Sequence, residues 1–452
     1  MPRLSLPGLL RTAGLLLGLC LMAAVARAAF VGHGGPVKAV AISPDGDRLL
    51  SAGFDYKVIL WSTVDGHAAA ILDRHQAAVN AVAFSRDGRT GLSVGDDFIL
   101  RLWDLGSGAQ TAALEGHRGR VVDVAVSPDG SLAATAGWDR RVGLWDLTGP
   151  RLERWIEGFA GNVNALDFLP GGRGLVTADA AGELLRWPMP GAAQPERIAS
   201  MALPIIAMAL TPDGAEAFVA ASDRSLTGWS LNGSGRRKVA KLDAPLFAVA
   251  VSPDGDLLAA AGLDGLVYRW RLPELRPLPP LHGARGPLWA LAFAPADAEL
   301  FGAGADGIIH QWVLPSGEEV GEPAASAARS RPSFPDDPLA ARGAVVFRRC
   351  AVCHTLDATG PARAGPSLAG LFGRRAGTVR GYNYSAALDG SPIVWTEEAV
   401  TELFTVGPDR MTPGTKMPVQ RIPDPDDMQA LIHYLSRATA AHTLDTSPEN
   451  HP

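Results

Sequence analysis

Cysteine is nearly absent from this chain: three residues in 452, at positions 20, 350 and 353. That scarcity excludes a disulfide framework and, with no second Cys pair, a four-cysteine zinc site. Charge is thin, at 19% of residues with a net of −6, and no basic stretch is interleaved with aromatics, which argues against nucleic acid as a partner. Beyond residue 28 no apolar run is long enough to span a bilayer. What the chain does have is 47% hydrophobic residues, a globular value that excludes wholesale disorder. It is also long enough for two or more domains, each with its own core.

The one long apolar run, Leu15 to Val25, follows a basic start at Arg3 and Arg11 and precedes Ala26-Arg27-Ala28, a small-x-small cleavage site. Residues 1–28 therefore read as an export signal, either cleaved after Ala28 or retained as an anchor. Leu19, ahead of Cys20, is too large for a lipidation signal. With the signal removed no transmembrane span remains, and the expected location is the periplasm.

Tryptophans recur at Trp61, Trp103, Trp145, Trp187, Trp229, Trp270 and Trp312, always 41 or 42 residues apart. A fixed period of this length marks a repeat architecture. One unit reads from His75 through an alternating strand (79–84), a Ser85-Arg86-Asp87-Gly88 turn, a second strand (90–94), a Gly95-Asp96-Asp97 turn, a third strand (99–103) and a looser fourth (109–114). A single such sheet cannot bury both faces, whereas radial stacking can, so the pattern predicts a propeller. On these residues, positions 29–322 resemble the WD40 family, with seven blades. The resemblance implies a hydrogen-bond network of His, Ser or Thr, Asp and Trp in each blade: His33, Ser51, Asp55, Trp61; His75, Ser93, Asp97, Trp103; His117, Thr135, Asp139, Trp145. Later blades depart from it. Phe159 and Met201 stand at the His position, Ala181 replaces the turn Asp with Asp179 nearby, and His282 lies close to the right place in the seventh blade. His67 and His310 carry no signal. Either Phe30-Val31 or the segment near Val320 can supply the strand that closes the ring.

The β pattern stops near Gly321, and residues 323–335, rich in Pro, Ala and Ser, read as a mobile linker. Helical periodicity follows. Asp336-Asp337 cap a helix with Pro338 in its first turn and Leu339, Val346 and Phe347 on its buried face. A second helix is expected over 425–438, with Met428, Leu431, Ile432 and Leu435 on one stripe. Between them stands Cys350-Ala351-Val352-Cys353-His354, the pattern of c-type haem attachment. A thioredoxin-like pair would need a surrounding βαβ pattern, which is missing. Only one such motif exists, so a dihaem peroxidase is excluded and one covalent haem c per chain is expected.

From 336 to 440, ahead of a tail at 441–452, the sequence resembles class I cytochrome c. Thr355, Gly365-Pro366, Leu368, Gly370-Leu371-Phe372-Gly373-Arg374, Gly377, Tyr382, Tyr384, Trp395 and Pro413-Gly414-Thr415-Lys416-Met417 follow the family pattern. The resemblance implies an all-α fold behind the all-β propeller, thioether bonds from Cys350 and Cys353, and iron ligation by His354 and Met417, with Met411 the rival ligand. It further implies that Pro366 orients the His354 ring, and that Tyr384 and Trp395 close the haem's lower edge, with Thr415 on the Met loop. Leu388 stands where the family often has Asn, and Leu403 or Phe404 where it has Tyr, so a drier pocket is expected.

The function implied is one-electron transfer by an exported monohaem cytochrome, the propeller serving as a scaffold for protein redox partners. The alternatives are a cytochrome-fused dehydrogenase whose propeller holds a second cofactor or a substrate, and a redox sensor or assembly factor. Seven arginines between 342 and 380 oppose one acid, Asp357, which favours a partner acidic at the docking face. Residues 29–335 hold 27 basic and 34 acidic side chains, net −7, so the propeller itself is a candidate competitor for that face.

Overall fold

A computed structural model of the chain describes residues 30–320 (except 190, 192, 193, 234, 297 and 315), 334, 336–348, 350–352, 354–356, 365–380, 382, 384, 385, 388–413, 415, 417 and 420–440. The export signal, the C-terminal tail, Cys353 and all of the expected linker except Phe334 lie outside these residues.

Residues 30–319 form seven antiparallel sheets arranged as a propeller. In the second blade Val79–Phe84 pairs with Thr90–Gly95, then Leu100–Asp104, then Ala109–Leu114. The two middle strands are buried at nearly every residue, polar Ser93 and Arg101 included, because both of their faces are covered by neighbouring blades. The outermost strand alternates exposed and half-buried residues because only one face is covered. Leu92, Val94, Leu100 and Leu102 of this blade pack on Val121, Val124 and Trp145 of the next, and so on round the ring.

The network expected in the first three blades is present. A Trp indole N–H donates to the Ser or Thr hydroxyl, at 2.7 Å for Trp61 and Ser51. That hydroxyl contacts His33 Nε2 at 2.6 Å, and His33 Nδ1 reaches Asp55 at 3.0 Å. Since a carboxylate only accepts, Nδ1 carries the proton and Nε2 accepts from Ser51, so the chain runs Trp to Ser to His to Asp. In the fourth blade Asp179 takes over the turn role of the missing Asp: it accepts from the N–H groups of Gly161, Ala181 and Glu183. The seventh blade differs more. His282 contributes only its carbonyl, which accepts from Trp312, whereas His310 carries the side-chain network. Its Nδ1 lies 2.6 Å from Glu319 and its Nε2 2.9 Å from Asp306.

Both candidate strands close the ring. Phe30–Val31 pairs with one half of Ile308–Val313, and Glu318–Glu319 pairs with the other half of the same edge. Phe30 is buried between Trp61 of the first blade and Phe301 of the seventh.

The second domain has helices α1 (Pro338–Phe347), α2 (Glu397–Val406), α3 (Pro408–Met411) and α4 (Pro425–Ala440). Asp337 caps α1 by accepting from Ala340 N, and it also bonds His433 and Arg437 of α4. The buried face of α1 is Ala340, Gly343 and Phe347, with Leu339 and Val346 half-buried. At Gly343 a Cβ would run into the Ala430 carbonyl and Tyr434, so only glycine permits α1 and α4 to cross this closely. Phe334 packs edge-on against Tyr434, which gives the residue just ahead of α1 a place in this core. Helix α2 is absent from the sequence expectation, although Thr396 caps it through Ala399 N and Glu397 and Glu398 occupy its first turn.

Candidate functional site

A cavity of about 330 Å³ opens in the helical domain. Cys350 and His354 line one side of it, directly after α1, and Met417 lines it from the segment between α3 and α4. Among the described residues Met417 reaches the cavity and Met411, at the end of α3, does not. The walls are apolar: Leu368, Leu371, Leu388, Leu403 and Phe404 all contribute, so the positions where the family carries Asn and Tyr present hydrocarbon here.

His354 is held by the backbone. Its Nδ1 lies 2.9 Å from the Pro366 carbonyl, which can only accept, so the proton is on Nδ1 and Nε2 is the nitrogen with a lone pair for a metal. Gly365 lies against the same ring, and a Cβ there would collide with three of its atoms. Thr415 Oγ1 accepts from Met417 N at 3.2 Å, stiffening the turn that presents the thioether.

Trp395 lines the cavity, and its backbone exchanges hydrogen bonds with Gly373 and Arg374. Tyr384 also lines it and accepts from Val379 N through its hydroxyl. Burial pushes the Tyr384 phenol up, and burial likewise lowers Arg374, whose guanidinium donates to the carbonyls of Ala369 and Ser367. Arg374 is a cavity residue that the sequence pattern did not single out by role. Its place in Gly-Leu-Phe-Gly-Arg was the available signal.

The donor set fits a haem. An imidazole with its outer nitrogen fixed, a thiol on the same side, a thioether from another segment and hydrocarbon walls are the requirements of a covalently attached, six-coordinate porphyrin. Of the seven arginines, Arg342 is tied to Asp424, Asp426 and Asp427. Arg374 and Arg375 donate to carbonyls, while Arg348 and Arg380 are exposed.

A seven-bladed propeller followed by a small helical domain with this cavity defines a propeller–cytochrome protein. Comparison with known proteins agrees. The cytochrome c family model matches residues 340–439. The model "WD domain, G-beta repeat" matches 25–62, 66–104, 108–146 and 237–271. Cytochrome c of Sesamum indicum is 40% identical over 99 residues, which is 22% of this chain and 88% of that protein. Cytochrome c2 of Blastochloris viridis is 41% identical over 101 residues, 22% of this chain and 79% of that protein. Cytochrome c of Ginkgo biloba is 37% identical over 107 residues, 24% of this chain and 92% of that protein. Through its C-terminal domain the chain belongs to the cytochrome c family, and haem-based electron transfer is the activity that this domain implies.

Proposed function

We propose that this chain is an exported monohaem cytochrome whose haem is ligated by His354 and Met417, and whose propeller docks its redox partner. The observation that carries the reading is the pairing of a backbone-anchored imidazole with a thioether in one apolar cavity. A c-type haem bound there supplies a one-electron iron couple whose ferrous state a thioether favours. The chain's own contribution is to hold both ligands still. The Pro366 carbonyl fixes the imidazole plane, Thr415 braces the Met417 turn, and the leucine walls keep water from both. Ligands that stay in place in both oxidation states keep the reorganisation small. The signal-like N-terminus supports a periplasmic site, since haem attachment of this kind takes place outside the cytoplasmic membrane. Exposed Arg348 and Arg380 favour a partner that is acidic at the haem-docking face.

The test is spectroscopic. Haem should stay with the polypeptide through acid–acetone extraction and be released when both Cys350→Ser and Cys353→Ser are made, with iron and chain in equal amounts. The oxidised protein should show a weak far-red sulfur-to-iron band that Met417→Ala abolishes and Met411→Ala leaves in place. Extraction of haem from the native protein, or loss of the band in Met411→Ala alone, would sink the assignment.

A further inference from the structure

The mouth of the cavity is not built by the helical domain alone. Phe54 and Tyr56, in the turn between the second and third strands of the first blade, line it. So do Ala77 and Ala78, in the loop entering the second blade, and Asp96, in that blade's equivalent turn. These residues share the lining of one cavity, and within blade 2 Asp96 N donates to the Ala78 carbonyl and Asn80 Nδ2 donates to Asp96 Oδ1 at 2.7 Å. We propose that this patch on blades 1 and 2 is the docking face for the chain's own haem crevice. The inference rests on the reading that the crevice holds haem, and beside the external redox partner it gives the propeller an internal one, the cytochrome domain to which it is tethered.

Four observations support that occupant. First, the patch is chemically matched to a haem edge in an apolar crevice. Phe54 is exposed and packs beside Trp289 at 5.9 Å, with the Lys38 ammonium 5.0 Å from the Trp289 ring and 5.8 Å from that of Phe54. Its one acid, Asp96, is matched by Arg120 at 3.6 Å. The face is therefore aromatic, with Lys38 as its one unmatched charge among these residues. The docking is apolar rather than driven by the overall negative charge of the propeller. Second, Tyr56 sits at φ 67°, in the left-handed region. The same turn position is glycine in blades 4, 6 and 7 (Gly182, Gly265 and Gly307) and a left-handed non-glycine in blades 2, 3 and 5 (Phe98, Arg140 and Arg224), so the turn accepts either. Blades 1 and 2 both place a strained ring there, and of the two it is Tyr56 of blade 1, not Phe98, that lines the cavity mouth. Third, the propeller's last strand, Glu318–Glu319, ends on blade 7, whose inner strand packs beside that of blade 1. The cytochrome domain is thus tethered next to the blades it docks on. Fourth, the span 321–333 can reach at most about 45 Å fully extended. A tether of that reach keeps the effective concentration high, so a modest apolar face suffices.

The full-length, haem-loaded chain tests this in two ways. With a photo-cross-linking phenylalanine analogue at position 54, irradiation should give an intrachain cross-link to a peptide from 382–404 or 412–420. Cross-links confined to the propeller, or formed only between chains, overturn the proposal. In the second test, ferrocytochrome passes one electron to ferricyanide, giving ferric haem and ferrocyanide. The double variant Phe54→Ser, Tyr56→Gly, which relieves rather than adds backbone strain, should be oxidised several-fold faster than the native chain. Equal rates overturn the proposal. A native chain lacking covalent haem would instead defeat the reading on which it rests, so the two failures are distinguishable.

Discussion

At the scale of single residues, the site depends on small groups placed where nothing larger fits. Gly365 is the clearest case. Its Cα lies against the His354 ring, so Gly365→Ala must push the imidazole off the line set by the Pro366 carbonyl or move the loop. Overpacking of this sort costs about 1–3 kcal/mol. Expected outcomes are a lower melting temperature followed by haem absorbance and, if His354 and Met417 hold the haem as proposed, a weakened far-red band. An unchanged band and melting curve would mean that the loop yields without touching the ring.

Secondary-structure elements show the same economy of space. Helices α1 and α4 make the principal helix–helix contact of the cytochrome domain, and they cross at Gly343 beneath Tyr434. Gly343→Leu should separate them and lower stability by more than the usual surface substitution, on the order of 3 kcal/mol. The measurement is thermal or denaturant unfolding monitored at the haem. The propeller's own absorption and circular dichroism should melt as in the native chain, because the atoms nearest Gly343 belong to α4. The α1 and α4 assignments were legible because their caps and stripes are strong. Helix α2 was missed: Thr396-Glu397-Glu398 is a start signal, but its ten residues bury only Val400, Leu403 and Phe404, too short a stripe to stand out.

For the whole molecule the decisive feature is how the ring closes. Strands from both ends of the propeller segment share one edge of the seventh blade. His310 ties that edge to Glu319 and Asp306. Burial alone would lower the His310 pKa, but the bonds to Asp306 and Glu319 outweigh it and hold it above the ordinary 6.5. Burial alone would raise Asp306, but His310 and the Arg285 and Ile308 N–H groups hold it below the ordinary 3.8. The His contribution is therefore complete below pH 6.5 and fades as pH rises through its raised value. The Asp contribution is complete above pH 3.8 and fades as pH falls through its depressed value. His310→Gln should destabilise the propeller most between these limits, by about 1–3 kcal/mol, and less on either side. A difference in melting temperature that does not vary between pH 4 and 9 would show that the clasp contributes no charge-dependent stability.

The 42-residue recurrence of Trp, the Ser/Thr-Asp-Trp spacing and Cys350-x-x-Cys353-His354 are local patterns, and by themselves they determined the seven blades, the helical domain and the cofactor class. Partners separated by tens of residues were another matter. His310 carried no pattern because its acids come from a turn and from the last strand. Asp179 stands two residues before the expected position, yet it accepts from Glu183 N, the equivalent of the Lys57 and Ile99 N–H groups that the turn Asp bonds in blades 1 and 2. Closure by both ends together, rather than by one or the other, depends on how much of an edge each two-residue strand covers. Local periodicity encodes which face of an element is buried. Only the folded chain decides what is brought against that face, because contacts between distant segments are selected by packing of the whole ring and not by any one stretch of residues.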